Sequence, residues 1–382
     1  MDFAFTADQQ RVRDAARSFA ERALAPIAQE VDRSARFPEE IVPALAEQGW
    51  LAPTAQRSEG GAELDTVGFA VLVEELSRVC ATAGTLVRAH GALFSEMVLR
   101  FGEPALRREV LAEAAAGRAL GASALGFVPE VPGAGVTATP LGDGGYQLQG
   151  ATSVVLLGPV AAQAIVVAAE GGDPSRTTAL VVKRDEGLSV EAGEARLGLR
   201  GVPVGVLRLE GARVPPGRVL GEVGEGDRVI ASARALSCIG VAAQALGIAR
   251  AACDEAVSFA KAPRQAVGGA SAGAPGAPLS EQQGVQFLVA DMVTELNAAR
   301  MLLLRAAALR DGGKPCLPEA AAAKLYAAGM ASRAAQRALQ VLGAAGWAAG
   351  AGPDRHARDA RLIEIDEGSD DEQRKIVAGG ML

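Results

Sequence analysis

The hydrophobic period of this chain changes twice, and that ordering limits its architecture more than any single motif does. Through residue 120, apolar residues recur at helical spacing. Val12, Ala16, Phe19 and Ala23 follow a Thr6/Gln9 pair with capping-box spacing. Phe69, Leu72, Val73 and Leu76 form another stripe, and a further run extends from Thr85 to Phe101. From 121 to 222 the pattern shortens. Tyr146-Gln147-Leu148-Gln149 and Val204 to Leu209 alternate, while Ile165-Val166-Val167 and Leu180-Val181-Val182 are short apolar runs separated by Gly/Pro/Asp turns. From 223 the helical period returns in three long runs, over 224–262, 279–310 and 318–342. A low-complexity Gly/Ala connection, 266–278, separates the first two. The predicted fold is mainly α with a central β domain. Its parts are an N-terminal helical domain (1–120), a middle antiparallel β-barrel or sandwich (121–222) and a C-terminal four-helix bundle (223–382).

Composition narrows the function classes. Of 382 residues, 49% are hydrophobic, enough to bury a core, and Lys+Arg 38 against Asp+Glu 45 gives a net charge of −7. With no long basic tract, nucleic acid is not an expected partner. The four cysteines and two histidines have no metal-ligand spacing, so no metal site is predicted. The opening MDFAFTADQQ lacks the basic start and apolar centre of a secretory signal, and no run of 18 uncharged apolar residues is present for membrane insertion. The expected location is cytoplasmic, with thiols reduced. His90 reads as a satisfied structural histidine, His356 as a solvated residue in an Arg-rich turn, and Cys238 as a small packed residue.

Residues 358–373, RDARLIEIDEGSDDEQ, carry the strongest candidate for chemistry. A helix through Asp359 and Ile365 is stopped by Gly368, and Ser369 with Glu372 forms a second capping box that opens the last helix. Asp370, Asp371 and Glu372 suit that helix N-terminus. Glu367 stands at the junction, where a side chain projects sideways into a cleft, and a buried carboxylate there can act as a general base.

The zone order and several phrases resemble the acyl-CoA dehydrogenase superfamily. The phrases include FTADQQRVRDAARSFAERALAPIAQEVDRSARFPEEIVPALAEQGWL, GGAELDTVGFAVLVEELSRV, LGLRG at 197–201, VLRLEGARVPPGRVLGEVGEG and the closing RDARLIEIDEGS. The resemblance implies an FAD held between the β domain and the bundle, completed by a neighbouring subunit of a homodimer or homotetramer. It implies an acyl thioester substrate, on CoA or on an acyl carrier protein. Glu367, followed by Gly368 and Ser369, matches the family's glutamate that removes the α-proton while a hydride leaves to the flavin. Gln283, Gln340 and Gly343 match segments that contact the partner's flavin, and Ser369 matches a donor to the cofactor.

Departures from the family pattern gather around the cofactor. The phosphate- and ring-binding Thr-Glu-Pro-Gly-Ala-Gly-Ser-Asp is replaced by GFVPEVPG after Gly121–Leu125, and the similar Pro132-Gly133-Ala134-Gly135 falls about six residues late. The aromatic-Ile-Thr that covers the flavin is replaced by Val154-Val155-Leu156-Leu157-Gly158. The family's Arg-x-x-Phe-Gly, which meets the partner's flavin pyrophosphate, has become Pro263-Arg264-Gln265-Ala266-Val267, where Arg264, displaced by one position, is the candidate to serve in that role. Cys238 stands where the family has an arginine near the substrate, and Asp366 where an aromatic precedes the catalytic glutamate. Anchoring groups of this kind contribute about 1–3 kcal/mol each. Three readings follow: a flavoenzyme dehydrogenating an acyl thioester, a flavin-free member doing redox-neutral proton transfer, and a non-catalytic subunit of a mixed oligomer.

Overall fold

The structure, a computed structural model, describes residues 4–125, 135–263, 277–347 and 352–382. Its first helix, Ala7–Phe19, opens on the predicted capping box. The Thr6 hydroxyl accepts from the Gln9 amide while the Gln9 side chain accepts from the Thr6 amide. Asp65 caps the helix Thr66–Val79, accepting from the Gly68 amide at 2.6 Å. The next helical stretch begins as Ala81–Leu86, passes without a break through a π-helical segment, Val87–Ser95, and continues as Glu96–Phe101. Such π segments are rare and recur at functional sites. This one carries Arg88 and His90, both fully buried.

Among the described residues eight strands form one sheet: β1 (Gly121–Ala124), β2 (Gly135–Pro140), β3 (Tyr146–Leu156), β4 (Gln163–Glu170), β5 (Asp173–Lys183), β6 (Leu188–Ala192), β7 (Val204–Val214) and β8 (Val219–Leu220). The order is β6-β7-β3-β2-β4-β5-β8, with β1 beside β4. The sheet is mixed rather than wholly antiparallel, because β1 and a short part of β2 pair parallel to β4. β1 leaves the helical layer in the direction of β4, and the β2–β3 hairpin lies between them in sequence. The central strands read as continuous apolar runs because both their faces are covered. Ile165, Ala179 and Val181 pack on Phe94, Met97 and Val98 of the helical layer. Ala164, Val166, Leu180 and Val182 face the interior on the other side.

Helices Gly226–Lys261, Gln283–Asp311 and Leu317–Leu342 form the body of the C-terminal part, closed by Gly352–Ile363 and Asp370–Gly379. The first is long and apolar enough to span a bilayer by length and composition, but it is the buried centre of the helical core. Small residues permit close contact there. A Cβ at Gly247 would lie 2.4 Å from the Glu74 carbonyl oxygen, so only glycine lets helices 66–79 and 226–261 meet at this depth.

Candidate active site

Two helices end in opposition around residues 364–368, and their turn presents Glu367. The first stops after Ile363; Ser369 then caps the last helix through a reciprocal pair with Glu372. Between them Glu367 adopts φ 52° and Gly368 φ 110°. A left-handed non-glycine residue costs about 1–2 kcal/mol, so the surroundings must hold it. Lys324, fully buried on helix 317–342, donates from Nζ to the Gly368 carbonyl and pins the turn from below.

The Glu367 side chain is buried, ion-paired at Oε1 and hydrogen-bonded at Oε2. Arg88 Nη1 lies 2.5 Å from Glu367 Oε1, and Arg88 Nη2 donates to Asp366 Oδ2 at 2.5 Å. The Ser237 hydroxyl, from helix 226–261, donates to Glu367 Oε2. Arg88 is held in turn by Gln244, whose Oε1 accepts from Nε at 3.2 Å. Gln244 is tied by its amide nitrogen to Ala81 O at 2.8 Å and Thr85 Oγ1 at 2.7 Å.

Electrostatics set Glu367 apart. Burial pushes its carboxyl up to about 6, with the Asp366 charge adding to the rise, while Arg88 and Lys324 oppose it. The Cys238 thiol is pushed up to about 12 by burial and touches Gln373 Oε1 at 3.4 Å. It is a packed neutral group, as its sequence context implies. Burial lowers the Lys324 amine.

The carboxylate forms one wall of a cavity of about 30 Å³, with Ala89, Leu93, Ser123, Leu125, Val154 and Leu156 among the other walls. Larger grooves, of about 630 and 710 Å³, lie away from it beside Arg107 and beside Met301. The small cavity is therefore where β1, the end of β3, the π-helical segment and the 364–368 turn meet.

Placement of the other predicted residues is uneven. Ser369 shares the turn with Glu367 and is half-buried, its oxygen accepting from the Glu372 amide at 3.3 Å. Gln283 and Gln340 are exposed on the outer side of the bundle, and Gly343 ends helix 317–342 at φ 57°; none of these three borders the Glu367 cavity. Arg264 lies outside the described residues. His356 corrects an expectation: it is buried on helix 352–363, with Nε2 3.4 Å from Glu255 Oε1, because the helix continues through what reads as a turn. Sequence reasoning missed Arg88, Ser237 and Lys324. The available signal was a lone cation in each of two apolar stretches, TLVRAHGALF and AAAAKLYAAG.

Comparison with known proteins now adds to the geometry. The family model described as "Acyl-CoA dehydrogenase, N-terminal domain" matches residues 6–118, and "Acyl-CoA dehydrogenase, C-terminal domain" matches 224–382. The chain belongs to the acyl-CoA dehydrogenase family. The mitochondrial short-chain specific acyl-CoA dehydrogenase of Bos taurus is 35% identical over 378 residues, covering 98% of this chain and 90% of that protein. The 3-(aryl)acrylate reductase of Clostridium sporogenes is 33% identical over 387 residues, covering 99% of each. The butyryl-CoA dehydrogenase structure from Megasphaera elsdenii superposes with a TM-score of 0.91 at 30% identity, covering all of both chains. These relatives are oxidoreductases, and they support an acyl-CoA dehydrogenase-type function.

Membership in this family implies FAD, and the ring end of the site can be tested for it. Its walls at Ala89, Leu93, Val154 and Leu156 are apolar, and Ser123 commits its hydroxyl to Leu93 O at 2.9 Å. Among the described residues this end of the site offers a flavin ring mostly apolar contact, with the Ser123 hydroxyl already engaged.

Proposed function

We propose that this acyl-CoA dehydrogenase family chain acts on an acyl thioester, carried by CoA or by an acyl carrier protein, with Glu367 exchanging the proton α to the thioester carbonyl. The observation that carries the reading is the state of Glu367: a buried carboxylate raised to about 6, on the wall between sheet and bundle. A base works best when its pKa lies near the working pH, since it is then largely ionised and still basic. Ser237 and Arg88 fix the carboxylate in one orientation, removing rotamer freedom before substrate arrives.

When bound, FAD would supply the acceptor for the hydride lost from the β-carbon. The apolar walls beside Glu367, and a Ser123 hydroxyl already committed to Leu93 O, favour a second reading, in which the chain performs only the proton-transfer half, as in isomerisation. Under either reading a second copy of the chain is the expected partner. Phe287, 60% exposed near Gln283, and Trp347, 75% exposed near Gln340 and Gly343, support this, since large apolar side chains exposed beside the predicted partner-facing residues are suited to cover by protein.

The test is exchange of the α-protons of butyryl-CoA in D₂O, followed by NMR. Wild type exchanges them, and Glu367→Gln loses about 10²–10⁴ of the rate; a wild type that leaves them untouched overturns the proposal. Visible absorbance of the purified protein, before and after adding FAD, separates the two readings. A flavin band that survives gel filtration supports hydride transfer, and a colourless protein supports proton transfer alone. Exchange that appears only with a co-purified homologue points instead to the mixed oligomer.

A further inference from the structure

Arg88 is a fully buried guanidinium between apolar neighbours Val87 and Ala89, and the surrounding chain is shaped to house it. A Cβ at Gly240 would stand 2.7 Å from Arg88 Cγ and 2.8 Å from Cδ, so the glycine opens a notch for the arginine stem in helix 226–261. One turn on, Gln244 accepts from Nε at 3.2 Å, which leaves the two Nη groups aimed at consecutive carboxylates, Asp366 and Glu367. We propose that Arg88 is the positioning residue for proton transfer at Glu367, holding the ionised carboxylate in one rotamer through Nη1 while Asp366 takes Nη2. The inference rests on the reading of Glu367 as the base.

The two-carboxylate arrangement is what makes the arginine compatible with proton transfer. With a single acidic partner, protonating the base would strand a buried guanidinium, a strongly unfavourable state. With Asp366 on Nη2, Arg88 stays paired whether Glu367 is ionised or neutral. Arginine suits this better than lysine, because its planar fork offers separate donors at fixed spacing. Other charges near the pair are Lys324 of helix 317–342, whose Nζ is directed to Gly368 O, and Arg196 of the segment before β7, whose charge reaches Asp366. Ser237 and Cys238 of helix 226–261 and Gln373 of the last helix face the turn as neutral groups. Arg88 is the guanidinium in contact with the base.

The experiment follows the Glu367 carboxyl by ¹³C NMR in side-chain-labelled protein, assigned by difference from Glu367→Gln, alongside the pH profile of α-proton exchange on butyryl-CoA. In Arg88→Gln the Glu367 midpoint moves up by about 1–3 pH units, and the acidic limb of the exchange profile moves with it. Arg88→Lys restores most of the wild-type midpoint. An unmoved midpoint in folded Arg88→Gln overturns the proposal. Should that variant not fold, Gln244→Leu keeps every charge but releases Nε. A changed Glu367 midpoint there supports the positioning role, and an unchanged one overturns it. Because the titration needs no substrate, a shifted midpoint in a chain that exchanges no proton keeps the Arg88–Glu367 coupling and overturns the base reading alone.

Discussion

Among the described residues two pairs of adjacent carboxylates are buried, and their surroundings give them opposite character. Glu74 and Glu75, on helix 66–79, are met by four arginines. Arg17 and Arg250 lie 3.0 and 2.9 Å from Glu75, Arg78 at 3.5 Å from Glu75, and Arg300 contacts Glu74. Asp366 and Glu367 share one guanidinium, that of Arg88. Burial pushes the Glu75 carboxyl up, but Arg17 and Arg250 outweigh it and hold the group below the ordinary range. At Glu367 burial and the Asp366 charge prevail, and the carboxyl rises to about 6. Burial by itself therefore does not make a carboxylate a base; the ratio of cations to acids around it does. The first pair ties helices together, and the second has the raised carboxyl that the proposed proton transfer calls for.

The largest expected effect tests that ratio directly. Arg88→Gln leaves two buried carboxylates without the cation that contacts them and lowers unfolding free energy by about 3–5 kcal/mol at pH 8. Arg17→Gln, removing one cation of several at a partly exposed site, costs about 1 kcal/mol or less. Urea titrations of both variants break the comparison if the two losses are equal.

His90 isolates burial without any charged partner. Its Nδ1 accepts from the Gly121 amide at 2.9 Å, which leaves Nε2–H to donate to Ala114 O at 3.1 Å, latching β1 to the helical layer. Burial lowers it to about 4. The unfolded chain therefore binds a proton more readily between about pH 6.5 and 4, and stability falls as pH drops through that window, by about 3 kcal/mol in all. His90→Gln removes this loss, which thermal melts of the two proteins across the window will show.

Glu367 and Glu75 are expected to act with opposite sign. A carboxyl raised in the folded state binds its proton more tightly there, so ionising it lowers stability as pH rises from about 4.5 through 6, by about 2 kcal/mol. Glu367→Gln abolishes that decline. Glu75 is lowered in the folded state; its contribution is present above the ordinary carboxylate range and disappears as pH falls. Glu75→Gln thus loses stability at pH 7 that it does not lose at low pH. Difference curves of stability against pH that slope the same way for both variants would contradict the account.

The smallest effect concerns the turn alone. Ser369→Ala removes the cap of the last helix and costs about 1 kcal/mol, while the Glu367 titration stays in place because Lys324 still holds Gly368 O. A Glu367 midpoint that moves in this variant would show that the cap, rather than Arg88, sets the base.

Local signals made much of this protein readable before its fold was known. The Thr6/Gln9 and Ser369/Glu372 boxes join residues three apart, so their geometry is written in the backbone preferences of the segment itself, whereas the helix expected to run through Ile365 to Gly368 ends at Ile363. The succession of periods gave the three zones for the same reason, and the family phrases pointed to Glu367. His356 was misread because two neighbouring arginines look like an exposed turn, whereas its helix turns that one residue inward. The partners of Glu367 and its turn came from far along the chain. Arg88 lies 278 residues from Asp366, Ser237 lies 130 from Glu367 and Lys324 lies 44 from Gly368. No periodicity relates such positions. Sequence determined that a carboxylate would stand at the last turn; packing of the π-helical segment against the notch at Gly240 decided which cation meets it, because ion pairs depend on distance in space and not on separation along the chain.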